Sequence, residues 1–188
     1  MERELLKSIA SPALQAVAEH WFSARGEKRM PSWSDLSPKA MAPQLPLVWS
    51  LKYDPATGEF TGRLAGDRIA RLIGQGFRGL PLAQAQTPSA FGAMQPILSL
   101  VVTEPALYLG GGNIFRYENA FLGGERLLLP LAADGIHPDG LLGATDYQRK
   151  ESVTKGIQPA VDASFWFDLD GGAKAGASRP KKLAANAH

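Results

Sequence analysis

The residues best suited to chemistry lie close together in one predicted loop, between Asp134 and Gly140. Two carboxylates, Asp134 and Asp139, flank His137, and such a set suits Zn²⁺ or Mn²⁺. Nothing nearby in the sequence completes a coordination shell, and Asp-Gly and Pro-Asp-Gly are ordinary turn sequences. We therefore interpret the segment as a turn. A small metal-dependent enzyme that uses His137 is the less favoured alternative.

Other catalytic arrangements find little support. Nucleophilic catalysis needs a nucleophile held beside a base. The chain has no cysteine and no Gly-x-Ser-x-Gly sequence, and no serine is tied by spacing to His137. A pair of carboxylates that could flank a catalytic cleft is not identifiable either. The sequence predicts that this protein is not an enzyme.

Two glycine-rich segments resemble phosphate-binding loops by letters only. The spacing Gly74-x-Gly76-x-x-Gly79 matches a dinucleotide fingerprint, but that mechanism needs a strand before the loop and a helix after it. Here a helix is predicted before the loop, and Leu80-Pro81 follows. Residues 110–113, Gly-Gly-Gly-Asn, lack the Lys-Ser/Thr of a P-loop. They are interpreted as a turn between two strands.

Composition and charge define the broad class. The chain has 188 residues, 45% hydrophobic and 20% charged, which fits one globular domain with extensions. Residues 171–188 hold four basic and no acidic side chains, while the other 170 residues hold 16 basic and 18 acidic ones. Nucleic-acid binding is therefore not expected of the body of the chain. We expect a cytoplasmic protein, because no signal peptide or membrane-spanning run is seen.

The apolar spacing predicts the elements that position these residues. Ser11-Pro12 begins a helix that ends near Gly26, and a β-hairpin covers 48–65. Helices follow from Asp67 and from Thr87, and then strands joined as hairpins extend to Tyr147. This order predicts an α+β fold, with an antiparallel sheet and helices covering one of its faces. The predicted units are an N-terminal helix (1–26), a domain (27–150), an appendage (151–170) and a flexible basic tail (171–188).

The order of elements, β-β-α-α-β-β-β, resembles that of a PAS domain. The N-terminal helix with Trp21 and five further segments also resemble, in the same order, those of a bacterial family of stand-alone PAS-like proteins. The five are Met30–Pro38, Leu45–Val48, Gly62–Asp67, Gly74–Gly79 and Leu129–Gly135. The resemblance covers residues 12–147. It implies a PAS-like fold with an N-terminal helical extension, and a module for sensing or interaction with no catalytic residues to carry over.

The resemblance also bears on cofactors, whose identity stays unknown. Haem-binding PAS domains usually take an axial histidine from the central helical region, and residues 67–105 contain none. Light-sensing PAS domains of the cysteinyl-flavin type need a cysteine, which this chain lacks. His-ligated haem and cysteinyl flavin are therefore disfavoured. Non-covalent flavin or a small apolar ligand stays open.

We predict a ligand pocket between the second central helix and the facing sheet. The predicted lining residues are Arg63, Leu64, Phe91, Met94, Leu98, Tyr117 and Leu129. Met94 suits an adaptable wall, and Arg63 could meet a ligand carboxylate. The favoured alternatives are that the apolar side chains simply fill the core, and that Arg63 pairs with Glu118 or another acid.

The resulting hypothesis is a PAS-like sensory or regulatory module that binds a small ligand or a protein partner and has no output domain of its own. The alternative is a ligand-free scaffold for protein interactions. The N-terminal amphipathic helix either supports a homodimer or covers the sheet of its own chain. The signalling protein that would receive the signal is not identified by the sequence.

Overall fold

The helices and strands are given by a computed structural model, which describes residues 1–73, 76–86, 88–117, 120–149, 161–169 and 172–174. Its helices are α1 (Glu2–Ser8), α2 (Pro12–Arg25), α3 (Asp67–Ile73), α4 (Leu82–Ala85) and α5 (Pro88–Thr103). Its strands are β1 (Val48–Asp54), β2 (Glu59–Ala65), β3 (Ala106–Tyr117), β4 (Ala120–Leu131), β5 (Gly140–Arg149), β6 (Val161–Asp168) and β7 (Gly172–Lys174). Short 3₁₀ turns lie at Trp33–Asp35 and Leu45–Leu47.

All seven strands belong to one sheet, in the order β2-β1-β5-β4-β3-β6-β7. Each neighbouring pair is antiparallel, so the predicted α+β class and antiparallel sheet are confirmed. β6 pairs with β3, and the described part of the predicted appendage therefore extends the sheet. Within the predicted tail, Gly172–Lys174 forms the edge strand β7. The rest of both predicted segments lies outside the described residues.

Helices cover both faces of this sheet. On one face, α3, α4 and α5 pack over residues that include Leu51, Leu128 and Leu141. On the other face, α1 and α2 pack over residues that include Leu127 and Leu129. Adjacent leucines of β4 thus enter two different cores, because successive side chains of a strand point to opposite faces. The central helices cover one face as predicted, and the N-terminal extension covers the other.

The start of α2 follows its sequence signals. Ser11 is the N-cap, with its Oγ accepting a hydrogen bond from the Leu14 N–H at 3.3 Å, and Pro12 holds the first helical position. Trp21 is fully buried, and its indole N–H donates to the Pro130 carbonyl at 3.0 Å. The apolar stripe of α2 is therefore used to cover the sheet of its own chain. This supports the second of the two alternatives for the helix, and the stripe is not available to a dimer partner here.

The turn predicted at residues 110–113 was wrong, because β3 continues through these glycines, with shifts of register at Gly111/Gly112 and at Asn113/Phe115. Gly110 pairs with Arg126 in the ladder. A Cβ at Gly110 would overlap the hydroxyl of Tyr108, so glycine here makes room for a neighbouring side chain. Gly123-Gly124, a sequence that also suggests a turn, likewise lies inside a strand, β4. A Cβ at Gly124 would overlap the Asp146 carbonyl of β5.

Among the described residues, no helix combines the length and the apolar character needed to cross a lipid bilayer.

Candidate functional site

A small cavity lies between the layer of α3, α4 and α5 and the sheet. It is lined by Trp49, Ile69, Ile73, Phe77, Leu82, Gln86, Met94 and Arg126. The space open to the centre of a water molecule is about 30 Å³, which holds roughly two waters. The lining side chains are apolar except for those of Gln86 and Arg126.

The sheet side of the cavity, its floor, is formed by Trp49 and Arg126, and both side chains contact Thr145 on the strand between theirs. Trp49 of β1 donates its indole N–H to Thr145 Oγ1 of β5 at 3.0 Å. Arg126 of β4 donates from Nε to the same oxygen at 3.4 Å. Thr145 is fully buried, and a Cβ at Gly143 would overlap the Trp49 ring. The positions of the indole and the guanidinium are thus linked through one hydroxyl.

Arg126 brings a positive charge into this apolar space. Only 8% of the residue is exposed, and burial lowers its pKa to about 10, so the guanidinium stays charged at neutral pH. Its Nη1 contacts Met94 Sδ at the cavity wall. Burial raises the pKa of the neighbouring Tyr108 hydroxyl, which therefore stays neutral. A charge in surroundings of low polarity interacts more strongly than one in water.

Gln86 contributes the second polar group of the wall. Its Oε1 is buried and has no hydrogen-bond partner within the part of the chain that the structure describes. A buried acceptor without a donor costs about 1–3 kcal/mol. A donor that entered the cavity would therefore recover free energy at this atom.

The helix α5, which contributes Met94 to the wall, lacks one of its internal hydrogen bonds. Pro96 lies inside this helix and has no N–H, so the carbonyl of Gly92 receives no helical hydrogen bond from it. Beyond Pro96 the helix is anchored by buried Leu98 and Val101. Met94 lies before Pro96 and has a flexible side chain suited to an adjustable wall.

The residues predicted on the helical side of the pocket lie on the expected face of the sheet. Met94 lines the cavity. Phe91 packs, half-buried, against the core that includes Leu98, which is 1% exposed. Tyr117 belongs to β3 by its backbone, but its side chain lies outside what is described.

The predicted placement of Leu64 and Leu129 was wrong, because both contact the core beneath the N-terminal helices. β4 is apolar on both faces, so its sequence has no alternation that reveals which leucine faces α5. In β2 the pairing shifts: Leu64 lies opposite Ser50 and Gly62 lies opposite Leu51. The extra residue between them forms a β-bulge, which moves Leu64 to the other face.

That extra residue is Arg63, and it does not reach the cavity. Its guanidinium lies 4.9 Å from the centroid of the Trp33 ring, which packs on the core of the N-terminal side. Burial lowers the pKa of Arg63, and the nearby charge of Asp139 opposes this shift. Asp139 is thus an acid near Arg63, and the pairing of Arg63 with an acid stays a prediction. Glu118, the partner named from sequence, lies outside the described residues.

The loop that contains His137 forms a turn, as predicted. Asp134 Oδ1 accepts hydrogen bonds from the backbone N–H of Ile136 and of His137. Asp134 Oδ2 lies 2.7 Å from His137 Nδ1, and both side chains are exposed. These contacts with His137 and Ile136 lower the pKa of Asp134. Within the described ranges, no group of three ligating side chains could hold a metal ion.

Sequence reasoning missed most of the cavity wall. Arg126 carried a usable signal, since it is the charged residue that directly precedes the apolar strand segment Leu127–Leu129. The contact of Trp49 with Thr145 depends on the pairing of β1 with β5, which are far apart in sequence. Ile69 lies in a segment that the sequence predicts only as a short helix. Gln86 directly precedes Thr87, where the next helix is predicted to begin.

A polar network joins the cavity wall to α2. Arg68 lies next to Ile69 on α3, and its Nη1 is 3.6 Å from Asp146 Oδ1. Asp146 Oδ2 accepts a hydrogen bond from Ser11 Oγ at 2.7 Å. The Ser11 N–H donates to Glu125 of β4 at 2.7 Å. The N-cap of α2 is therefore connected to α3 through a single carboxylate of the sheet.

The family of the chain follows from a comparison with family models. A model described as PAS domain matches residues 9–146, from the start of α2 through most of β5. No curated protein and no solved structure is similar enough to count as a match. PAS domains are in general sensory or regulatory modules rather than catalysts, and they commonly mediate interactions and dimerise. The match covers more than two thirds of the chain, which therefore belongs to the PAS domain family.

Proposed function

We propose that this PAS domain senses a small molecule, which binds in the cavity between the sheet and the helices α3, α4 and α5. The observation that carries the proposal is an apolar cavity whose wall holds a buried charge, Arg126, and a buried acceptor, Gln86 Oε1. Ligand sites are typically apolar, with a few placed polar groups that orient the ligand. A core that only needed filling would gain nothing from these two polar groups.

Binding would require the wall to move. The open space of about 30 Å³ is smaller than an organic ligand of useful size. Met94 and the first half of α5 are the groups suited to yield, for the reasons given above. The ligand then selects a wider state of the domain, which is a population shift rather than a rigid fit.

The signal would leave the cavity through α3. A ligand that displaces Ile69 also shifts Arg68, whose Nη1 lies 3.6 Å from Asp146 Oδ1. Asp146 in turn accepts a hydrogen bond from the hydroxyl of Ser11, the N-cap residue of α2. A change at Ser11 alters how α2 sits on the sheet and which surface the N-terminal helices offer to a partner protein. Coupling between two such sites is typically about 1–3 kcal/mol.

A cavity-filling variant tests the proposal. We expect wild-type protein, purified without added ligand, to show a bound small molecule in native mass spectra, or a raised Tm with members of a metabolite library. Met94→Trp fills the cavity and should abolish both signals. Gln95→Trp is the matched control, since Gln95 is exposed on the same helix, and it should bind as the wild type does.

A ligand-free scaffold for protein interactions is the second candidate function. The small volume of the cavity, about 30 Å³, favours it. Bare polypeptide in native spectra, together with no Tm response from wild type or Gln95→Trp, would contradict the sensor function and favour the scaffold.

A further inference from the structure

We infer that the ligand of this cavity is a small uncharged molecule with an apolar body and one hydrogen-bond donor, a hydroxyl or a ring N–H, which donates to Gln86. The inference rests on the proposed function, in which a small molecule binds in this cavity, and names the chemical class of that molecule. Phenols and indoles are simple members of the class.

The recognition element is the side-chain carbonyl of Gln86. Gln86 lines the cavity, and its Oε1 is buried without a hydrogen-bond partner in the part of the chain that is described. Arg126, the other polar residue of the described lining, already contacts Thr145 and Met94, so the preference for a donor is assigned to Gln86. A buried acceptor recovers the free energy lost on leaving water only when a donor reaches it.

The position of this acceptor is set by α4, which Gln86 directly follows. Leu82, at the start of α4, is 2% exposed and lines the same cavity. The Ala85 N–H donates to the Pro81 carbonyl at 3.1 Å, and Pro81 forms a β-bridge with Thr61 of β2. The ligand must therefore place its donor at one defined point of the wall.

The donor group of the ligand is uncharged. An ionised carboxylate has acceptor atoms only, so it makes no hydrogen bond with Gln86 Oε1. An ammonium group could donate, but none of the described lining residues is acidic, so its charge would be buried without an opposite charge. A hydroxyl or a ring N–H donates at a smaller cost of desolvation.

The remaining wall defines the body of the ligand. Trp49 and Phe77 offer aromatic surface, and Ile69, Ile73 and Leu82 offer aliphatic surface. An aromatic ring buries its own apolar surface against such a wall. A sugar or another polyol would instead bury several hydroxyls beside apolar groups.

The test uses the full chain and compares probes of matched shape by calorimetry. Indole and benzofuran have nearly the same shape, but only indole carries an N–H. Phenol and fluorobenzene form a second such pair. We expect the donor of each pair to bind more tightly to the wild type, and benzoate and benzylamine to bind more weakly than phenol.

Two variants test the role of the amide. Gln86→Met replaces it by an apolar side chain of similar length, and should weaken indole by about fivefold or more while leaving benzofuran unchanged, because the N–H would be buried without an acceptor. Gln84→Met, at an exposed position of α4, is the matched control and should bind both probes as the wild type does. The comparison of indole with benzofuran in the wild type remains informative should Gln86→Met fail to fold.

The outcomes distinguish this inference from the proposed function. Benzofuran bound as tightly as indole, equal weakening of both by Gln86→Met, or a co-purified molecule that is charged or has no donor overturns the ligand class and leaves the sensor proposal standing. Indole binding that survives in Met94→Trp would place the ligand elsewhere and also overturn the inference. Failure of every probe overturns the inference, and it overturns the proposed function as well when native spectra show bare polypeptide and the metabolite library gives no Tm response.

Discussion

Ser11, the N-cap of α2, donates its hydroxyl hydrogen to Asp146 of β5 across 2.7 Å. The same Oγ accepts the N–H of Leu14, and Asp146 also lies 3.6 Å from Arg68 of α3. One carboxylate thus touches the helices on both faces of the sheet. The N-terminal helices are therefore integrated with the PAS domain and not a detached extension.

The contact between Ser11 and Asp146 should be measurable as a coupling energy. Ser11→Ala removes a helix cap and Asp146→Asn weakens the acceptor, so each should lower the free energy of unfolding by about 1 kcal/mol. The double variant should lose less than the sum of the two, since both act on one interaction. Urea denaturation measures this. Glu19→Gln, at an exposed position of α2, is the control, and strict additivity would contradict the coupling.

Trp21 should be a strong anchor of α2 on the sheet. Trp21→Phe removes the donor that satisfies the Pro130 carbonyl and leaves space in a fully buried position. We expect a loss of about 2–4 kcal/mol in the free energy of unfolding. Trp33→Phe, at a half-buried site, should cost less than half as much. Equal losses would mean that α2 is not held as described.

Two glycines should respond to alanine in opposite directions. At Gly143 a Cβ would overlap the Trp49 ring in the floor of the cavity, and such overpacking costs about 1–3 kcal/mol. At Gly92 there is open space inside α5, so Gly92→Ala should stabilise the protein by about 0.5–1 kcal/mol. Thermal and urea unfolding measure both. Destabilisation at both sites would contradict the geometry of α5.

The contribution of Asp35 to stability should disappear as the pH falls from 4 toward 2. Hydrogen bonds from Lys28, and then from Ser32, lower its pKa from 3.8 to about 2. The carboxylate therefore stabilises the fold above pH 4, and this contribution is lost as pH falls toward 2. Asp35→Asn should be less stable than wild type at pH 6, and the difference should shrink by pH 2. A constant difference across this range would argue against the ion pair.

The sequence by itself determined the family and most of the elements, but not the course of β3 and β4 through their glycines. Ser11-Pro12 predicted the start of α2 because capping is a local property of a few neighbouring residues. The order of helices and strands predicted an antiparallel α+β fold with PAS character, which the structure and the family match confirm. Met94 could be assigned to the helical side because the period of a helix is visible in its own residues.

Only the tertiary structure decided which side chains share the cavity. The face on which Leu129 lies depends on strand register, and a strand buried on both faces carries no alternation that records it. The bulge at Arg63 reversed the expected direction of Leu64 by one extra residue. The meeting of Trp49 with Arg126 at one hydroxyl joins strands that are distant along the chain. Pairing over such distances is set by the packing of the whole domain, so a local pattern in the sequence does not contain it.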